Sequence, residues 1–450
     1  MNTRAGSGFN ITLIALVFGM AATHAFALTF DVDTEVDGPD NIPGDGICAT
    51  LVGPCTLRAA IEEANALGGA HTINLPQGFY HAGDHVVTSD ITLLGPSGIS
   101  AHDRPRVIGG GPTFTIEAGA LLSITDVGIL FGDNADGPGC FENDGELEIT
   151  NGSLSACTGT SAGAIFNGGT LTMTRCEVED SVVVFPGFGG GVFNSGTASL
   201  TNVAFRRNES QFDGGAIYNT GQLSIVDGWL DENVCTGFGG GLTHSGGSAD
   251  LTRVTMSRNT ASGFGGGIFS SGDLNLTNAT IHSNTSGTTG GGLYLEFSTY
   301  NLVNVTLYDN SNSLSTGDLA TVKVVNTIFF DPTNNCVLVS PLNSLGHNLE
   351  HATNSCGLNG TGDLVGATVL TGEPGLYGGF GETVPLLPGS PGIDDGDTAL
   401  APPTDQNGVL RWDGDGDGTV TADIGAYEYG PFFADGFESG NTSRWSATVP

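Results

Sequence analysis

Positive charge is nearly missing from this 450-residue chain: Lys and Arg number 12 against 48 Asp and Glu, Lys323 is the single lysine, and the formal charge is −36. A surface of that sign repels nucleic acid and anionic lipid headgroups, and it disfavours polyanionic ligands unless calcium bridges them. No Cys-x-x-Cys spacing occurs, which sets zinc behind disulfides or buried thiols as the use of the eight cysteines. No segment approaches the ~20 consecutive apolar residues that span a bilayer, so no transmembrane segment is expected in the mature chain. Charged residues are only 13% of the total. The acidity is therefore not that of a disordered acidic chain, and Gly, Thr, Ser and Asn are left to form the exterior.

What is present recurs on a fixed period. Gly189-Gly190-Gly191, Gly214-Gly215, Gly239-Gly240-Gly241, Gly265-Gly266-Gly267 and Gly290-Gly291-Gly292 stand 25, 25, 26 and 25 residues apart. An apolar column follows them (Leu200, Ile225, Leu251, Leu276, Leu302), with a second one five residues later (Phe205, Leu230, Met256, Ile281, Leu307). A third column is asparagine throughout: Asn208, Asn233, Asn259, Asn284 and Asn310. Apolar-polar alternation within each repeat marks strands, because successive strand side chains face opposite ways. Three short strands with Gly and Asn corners fill such a repeat, which predicts an all-β, right-handed parallel β-helix of roughly ten coils stacked at about 4.8 Å. Weaker copies of the apolar pair (Ile124/Ile129, Ile149/Leu154, Met173/Val178, Val324/Phe329) extend the rod both ways, and Ile73/Leu75 and Ile91/Leu93 read as its opening coils.

The ends read differently. Residues 1–27 carry Arg4, an apolar run from Ile11 to Ala22 and a small-x-small Ala25-Phe26-Ala27, the pattern of a secretory signal. The expected organisation is then 28–72 as an N-terminal cap, 73–340 as β-helix, 341–430 as a C-terminal cap and 431–450 as a tail. In the first cap, Leu57, Ala60, Ile61 and Ala64 recur at helical spacing, so Thr56 to Leu67 is expected to lie as a short helix across the first coil. Export permits disulfides. Cys48 with Cys55 and Cys336 with Cys356 are the preferred pairs, while Cys140, Cys157, Cys176 and Cys235 have no assigned connectivity.

Three segments resemble known families. The run from Cys55-Thr-Leu-Arg-Ala-Ala-Ile to Asn65 resembles the CSLREA domain of bacterial secreted β-helix proteins, with Thr56 for Ser and Ala59 for Glu. Gly-Gly-Ala-Ile-Tyr-Asn219 and Phe-Arg-Arg-Asn208 resemble the repeat units of polymorphic outer-membrane proteins. Pro385 to Asp394, Thr404 to Arg411 and Asp423 to Glu428 are similar to the choice-of-anchor Q domain. These resemblances imply an exported, surface-associated or extracellular β-helix and say little about chemistry. The tail from Phe432 to Trp445 looks like a segment found at the ends of exported gammaproteobacterial proteins; it reads either as a loose terminal strand or as a sorting and anchoring signal.

Asp413-Gly-Asp415-Gly-Asp417-Gly418 is the sharpest local motif, since carboxylates at alternate positions before a turn glycine match the opening of an oxygen-rich calcium loop. The twelfth position of an EF-hand loop falls on Ile424 rather than on glutamate, so Ca2+ is expected in a non-EF loop with Asp413, Asp415, Asp417 and Asp423 as ligands. The competing reading is an acidic solvated turn. For catalysis, a lyase would need an Arg or Lys base beside a calcium-neutralised uronic carboxylate; Arg206, Arg207, Arg253 and Arg258 fall in the repeats, at corners that usually face solvent. A glycoside hydrolase would need two carboxylates across a cleft, and Asp227, Asp231 and Glu232 or Asp394-Asp395 supply candidates without a recognisable set. His244, His282, His347 and His351 have no metal spacing and read as surface residues, and the Asn-x-Ser/Thr matches at Asn278 and Asn304 follow from composition. No catalytic residue is therefore assigned. The expected function is a non-catalytic interaction, adhesion or glycan-binding protein, with a carbohydrate-active enzyme (polysaccharide lyase or glycoside hydrolase) as the alternative and an extracellular spacer as a third reading. Carboxylates or Arg with aromatics on one coil face would favour the enzyme; a long flat Asn/Thr/Ser face would favour binding or scaffolding.

Overall fold

The computed structural model describes residues 27–331 and 334–430; the expected signal stretch up to residue 26 and the tail 431–450 lie outside them. The chain winds as the right-handed parallel β-helix that the repeats predict. Its large sheet has 20 strands, its second sheet 11 and its third six. One strand of the second sheet per coil makes eleven coils, against the roughly ten expected, and gives a rod on the order of 50 Å long. Pairing begins with Thr29–Asp31 on Ala70–Asn74 and continues through Leu342–Gly346, Leu349–His351 and Leu364–Ala367, so rungs occur on both sides of 73–340.

The two apolar columns become two internal stacks. In one, Met173, Leu200, Ile225, Leu251, Leu276, Leu302 and Val324 sit in register on successive coils, each essentially inaccessible. In the other, Val178, Phe205, Leu230, Met256, Ile281, Leu307 and Phe329 do the same. The ten-residue strands that carry both, such as Thr197–Arg206, turn a corner at their sixth residue. That corner is left-handed at Asp126, Asn151, Arg175, Asn202, Asp227, Arg253, Asn278 and Asn304, with φ between 51° and 59°. Asn and Asp tolerate this region best among residues with a Cβ and hold all but two of these corners. Asn278 and Asn304 are buried there, which removes them as glycosylation sites.

Corner amides form ladders along the rod. Asn208, Asn233, Asn259, Asn284 and Asn310 are buried, and each side-chain Nδ2 donates to the Oδ1 of the next at 2.9–3.0 Å. Each Nδ2 also donates to a backbone carbonyl of an earlier strand, as from Asn259 to Leu230 at 2.9 Å. A second ladder on the second sheet links Asn143, Asn167, Asn194 and Asn219 at 2.6 Å and ends on His244, whose Nδ1 accepts from Asn219 at 2.9 Å. His244 Nε2 then donates to the Asp273 carbonyl at 3.0 Å, and burial lowers its pKa, so the ring is a neutral ladder member. His244 is thus buried rather than on the surface, and so is His282, for a different reason: it lies beneath Glu382 of the C-terminal segment. One polar substitution within a buried column is invisible to a rule that reads isolated histidines as exposed.

The first ladder ends on an acid. Asp331 Oδ1 accepts the Asn310 N–H at 2.6 Å where an asparagine would continue the series, and burial pushes its carboxyl up to about 7. A folded-state pKa above the unfolded value of ~3.9 means a proton held by the native chain and not by the unfolded one. The stabilisation from Asp331 is complete below the unfolded pKa and is lost as pH rises through about 7. Around pH 5–6 this one proton contributes a fall of about 1.4 kcal/mol per pH unit, which drops to about half that at pH 7. Denaturation midpoints should therefore fall over that interval, and Asp331→Asn should flatten the fall by restoring an amide; an unchanged slope in the variant would contradict this.

A helix covers the opening of the rod, and the C-terminal segment covers part of its side. Helix α1 (Leu57–Leu67) starts from Thr56, whose hydroxyl accepts the Ala59 N–H at 3.0 Å, and it buries Leu57, Ala60, Ile61 and Ala64 against the opening coils, as its spacing predicts. Downstream, residues 368–430 fold back over the outer face of the large sheet. Glu382 meets Arg258 and His282, Gln406 meets Thr255 and Thr280, and Asn304 donates to the carbonyls of Asp423 and Gly425. The outward threonines of coils 255–306 are thereby covered. Disulfides join Cys48 to Cys55 and Cys336 to Cys356, the two preferred pairs, and also Cys140 to Cys157, while Cys176 and Cys235 are buried thiols. No helix among the described residues is long and apolar enough to cross a membrane.

Candidate functional site

The fold-back leaves the upstream part of the same outer face open. One outward column there runs Arg106, Gly128, Ser153, Glu177, Ala204, Trp229 in register. The small side chains of Ser153 and Ala204, on either side of Glu177, sink the surface into a trough of roughly 490 Å³, floored by Gly152, Ser153, Cys176 and Ala204. The loop carrying Ala101 and Arg104 closes one end, and Phe380 of the fold-back segment closes the other.

Three arginines line this trough. Arg175, on its left-handed corner, donates from Nε to Asn151 Oδ1 at 2.6 Å and has no carboxylate partner among the described residues. Arg206 donates to Glu177 Oε1 at 2.5 Å and stacks on Trp229 at 4.6 Å, a cation–π contact that fixes its plane. Arg104 holds its Nε buried without a hydrogen bond, 3.8 Å from Asp126 Oδ1. The floor thiol is not a nucleophile: Cys176 donates to the Ile149 carbonyl at 3.2 Å, and burial pushes its pKa up to about 11.

The other candidates for proton chemistry are dispersed. Arg207 is raised by its hydrogen bond to Asp180 and Arg253 by its bond to Asp227, which is the wrong direction for a base. Arg258 is shared between Asp231 and Glu382 beneath the fold-back segment. Asp227, Asp231 and Glu232 consequently face arginines rather than a cleft. Glu177 is the sole carboxylate lining the trough among the described residues, and a hydrolase needs two. A second depression of roughly 330 Å³ among the N-terminal loops offers less. Its Asp37 is paired with Arg58, and its Asp40 accepts backbone N–H groups.

The acidic loop lies elsewhere, against the C-terminal segment. Carboxylate oxygens of Asp413, Asp415 and Asp394 come within 4.8 Å of one another, while Asp417 and Asp423 are not in that group. Asp413 accepts N–H groups from Gly416, Asp417 and Gly418 and so shapes the turn. Asp417 accepts from Thr419 at 2.7 Å. Asp423 is buried, accepts the Asp394 N–H at 2.8 Å, and shares the interior with Glu428 and Arg411; burial followed by the Glu428 charge raises its pKa. Asp394 is raised by burial and by the neighbouring charges of Asp415 and Asp413, and its Oδ1 is buried without a partner. The oxygen-only set fits calcium. In the sequence Asp394 stands beside Asp395 with no signal that ties it to a loop some twenty residues on.

A third surface feature is a row of rings on the second sheet, including Phe166, Phe193 and Tyr218, then Phe269 and Tyr294. Neighbouring centroids lie 5.0–5.7 Å apart, so the ring faces are spent on each other and the row braces the coils.

The model of the Chlamydia polymorphic membrane protein repeat matches residues 253–271, within the coils that carry the Asn ladder. No curated protein sequence matches the chain. Among solved structures, the A-module of mannuronan C-5 epimerase AlgE4 from Azotobacter vinelandii is similar at 13% identity over 75% of this chain and 94% of that one, with a TM-score of 0.31. The AlgE6 A-module of the same organism is 16% identical over 74% and 93%, with a TM-score of 0.30. Pectin methylesterase from Aspergillus niger is 12% identical over 67% and 88%, with a TM-score of 0.21. At such scores these likenesses carry no argument about activity.

Proposed function

We propose that this chain is an exported β-helix protein of the cell surface or extracellular space that binds a glycan in the trough between Arg104 and Phe380 without transforming it. The observation that carries the reading is the trough: a concave site with convergent polar donors and an aromatic wall, on a rigid parallel sheet. Three disulfides suit an oxidising compartment, and the CSLREA and choice-of-anchor Q resemblances at the two caps belong to the same reading. Against turnover stand the single carboxylate Glu177, clamped by Arg206, and the distance in sequence and space between the trough and the acidic loop. A carbohydrate-active enzyme is the second reading, favoured by arginine and aromatic side chains gathered on one face. Pure protein incubated with neutral and acidic polysaccharides should be retained on a glycan and release no reducing or unsaturated ends. Release of such ends, lost in Glu177→Gln, would establish the enzyme; retention on no glycan would remove the binding reading.

The same proposal gives Asp394, Asp413 and Asp415 a calcium ion, with a structural role at the C-terminal segment, readable as calcium-dependent melting. Like charges crowded around a buried, unpartnered oxygen support it.

A further inference from the structure

We infer that the trough takes an anionic saccharide, one bearing carboxylate or sulfate groups; this rests on the glycan-binding reading above and specifies its ligand. The chain has only 11 arginines, and three of them line this one site. Arg206 is paired with Glu177 and Arg104 lies beside Asp126, which leaves Arg175 as the arginine of the trough without an acid partner among the described residues. Arg175 is the surplus cation: exposed, held at Nε by the neutral Asn151, with its terminal nitrogens free of hydrogen bonds among the described residues. Arg104 also lines the trough, its Nε buried 3.8 Å from Asp126 Oδ1 and without a hydrogen bond among the described residues. A planar guanidinium fork matches a carboxylate or sulfate edge with two parallel hydrogen bonds.

The overall charge of −36 argues the other way at long range. Charges in solvent are screened beyond about 8 Å at physiological ionic strength, so the residues lining the trough decide what enters it. The trough is open along its sides between Ala101 and Phe380, and small floor residues such as Gly152 and Ser153 leave room for a sugar ring over the sheet.

Binding of a polyuronate, a sulfated glucan and a neutral glucan to the whole protein, measured by calorimetry, tests the inference. One or both polyanions should bind, with affinity falling as salt is raised, and the stronger of the two identifies the anionic group. Arg175→Gln should weaken that binding at least tenfold, Arg175→Lys less so, and Arg58→Gln, remote from the trough, not at all. Melting curves of each variant establish that the fold is kept. Equal binding of the neutral glucan, or full affinity in Arg175→Gln, overturns the anionic ligand while the glycan-binding reading stands. Absence of binding to all three overturns both.

Discussion

Replacing Asn259 with alanine should destabilise the rod by about 3–5 kcal/mol, more than any single surface change. Its Oδ1 accepts both the Asn233 backbone N–H at 3.0 Å and the Asn233 Nδ2 at 2.9 Å, and its Nδ2 donates to Leu230 and Asn284. Alanine strands these buried groups where no water reaches, at about 1–3 kcal/mol for each unsatisfied one. The damage should stay local, because a coil contacts mainly its two neighbours. Amide exchange should accelerate at Asn233 and Asn259 well before it does near Ile91. A loss below about 1 kcal/mol would mean that the ladder is decoration on the aliphatic stacks.

Calcium should raise the melting temperature, by an amount that grows with its concentration. Binding to the native state alone stabilises by about 2.7 kcal/mol at a hundred times the dissociation constant. The informative variant is Asp415→Asn. Asp413 builds the turn through three backbone hydrogen bonds, whereas the Asp415 carboxylate accepts only the Asp417 N–H at 2.9 Å, so its removal takes away a ligand without unmaking the loop. The calcium response should vanish in Asp415→Asn and survive in Asp417→Asn. Identical melting of the unaltered protein in excess calcium and in chelator would exclude the ion.

The coil geometry was legible in the sequence because every coil repeats it: Leu251 and Asn259 announce their positions through the residues about 25 before and after them. What the period does not repeat was hidden. The return of residues 368–430 over Thr255, Thr280 and Thr306 has no periodic signature, so the polar columns that read as a free binding face are in part the seat of that segment. The trough combines Arg104 from a loop with Arg175 and Arg206 from different coils and Phe380 from the far end of the chain. A trace of it was readable: once the register is known, the outward column between Arg106 and Trp229 holds small Gly128, Ser153 and Ala204, interrupted by Glu177. The acidic loop was readable only within itself: of the expected set Asp413, Asp415, Asp417 and Asp423, the first two lie together with Asp394, which the loop's own spacing does not reach.

The most direct test of this account is a crystal structure of the protein grown with a short anionic oligosaccharide. Intact sugar is expected in the trough between Ala101 and Phe380, with an acidic group on the Arg175 guanidinium and others within reach of Arg104 and Arg206. Sugar bound on another face, or a cleaved or unsaturated product beside Glu177, would contradict it.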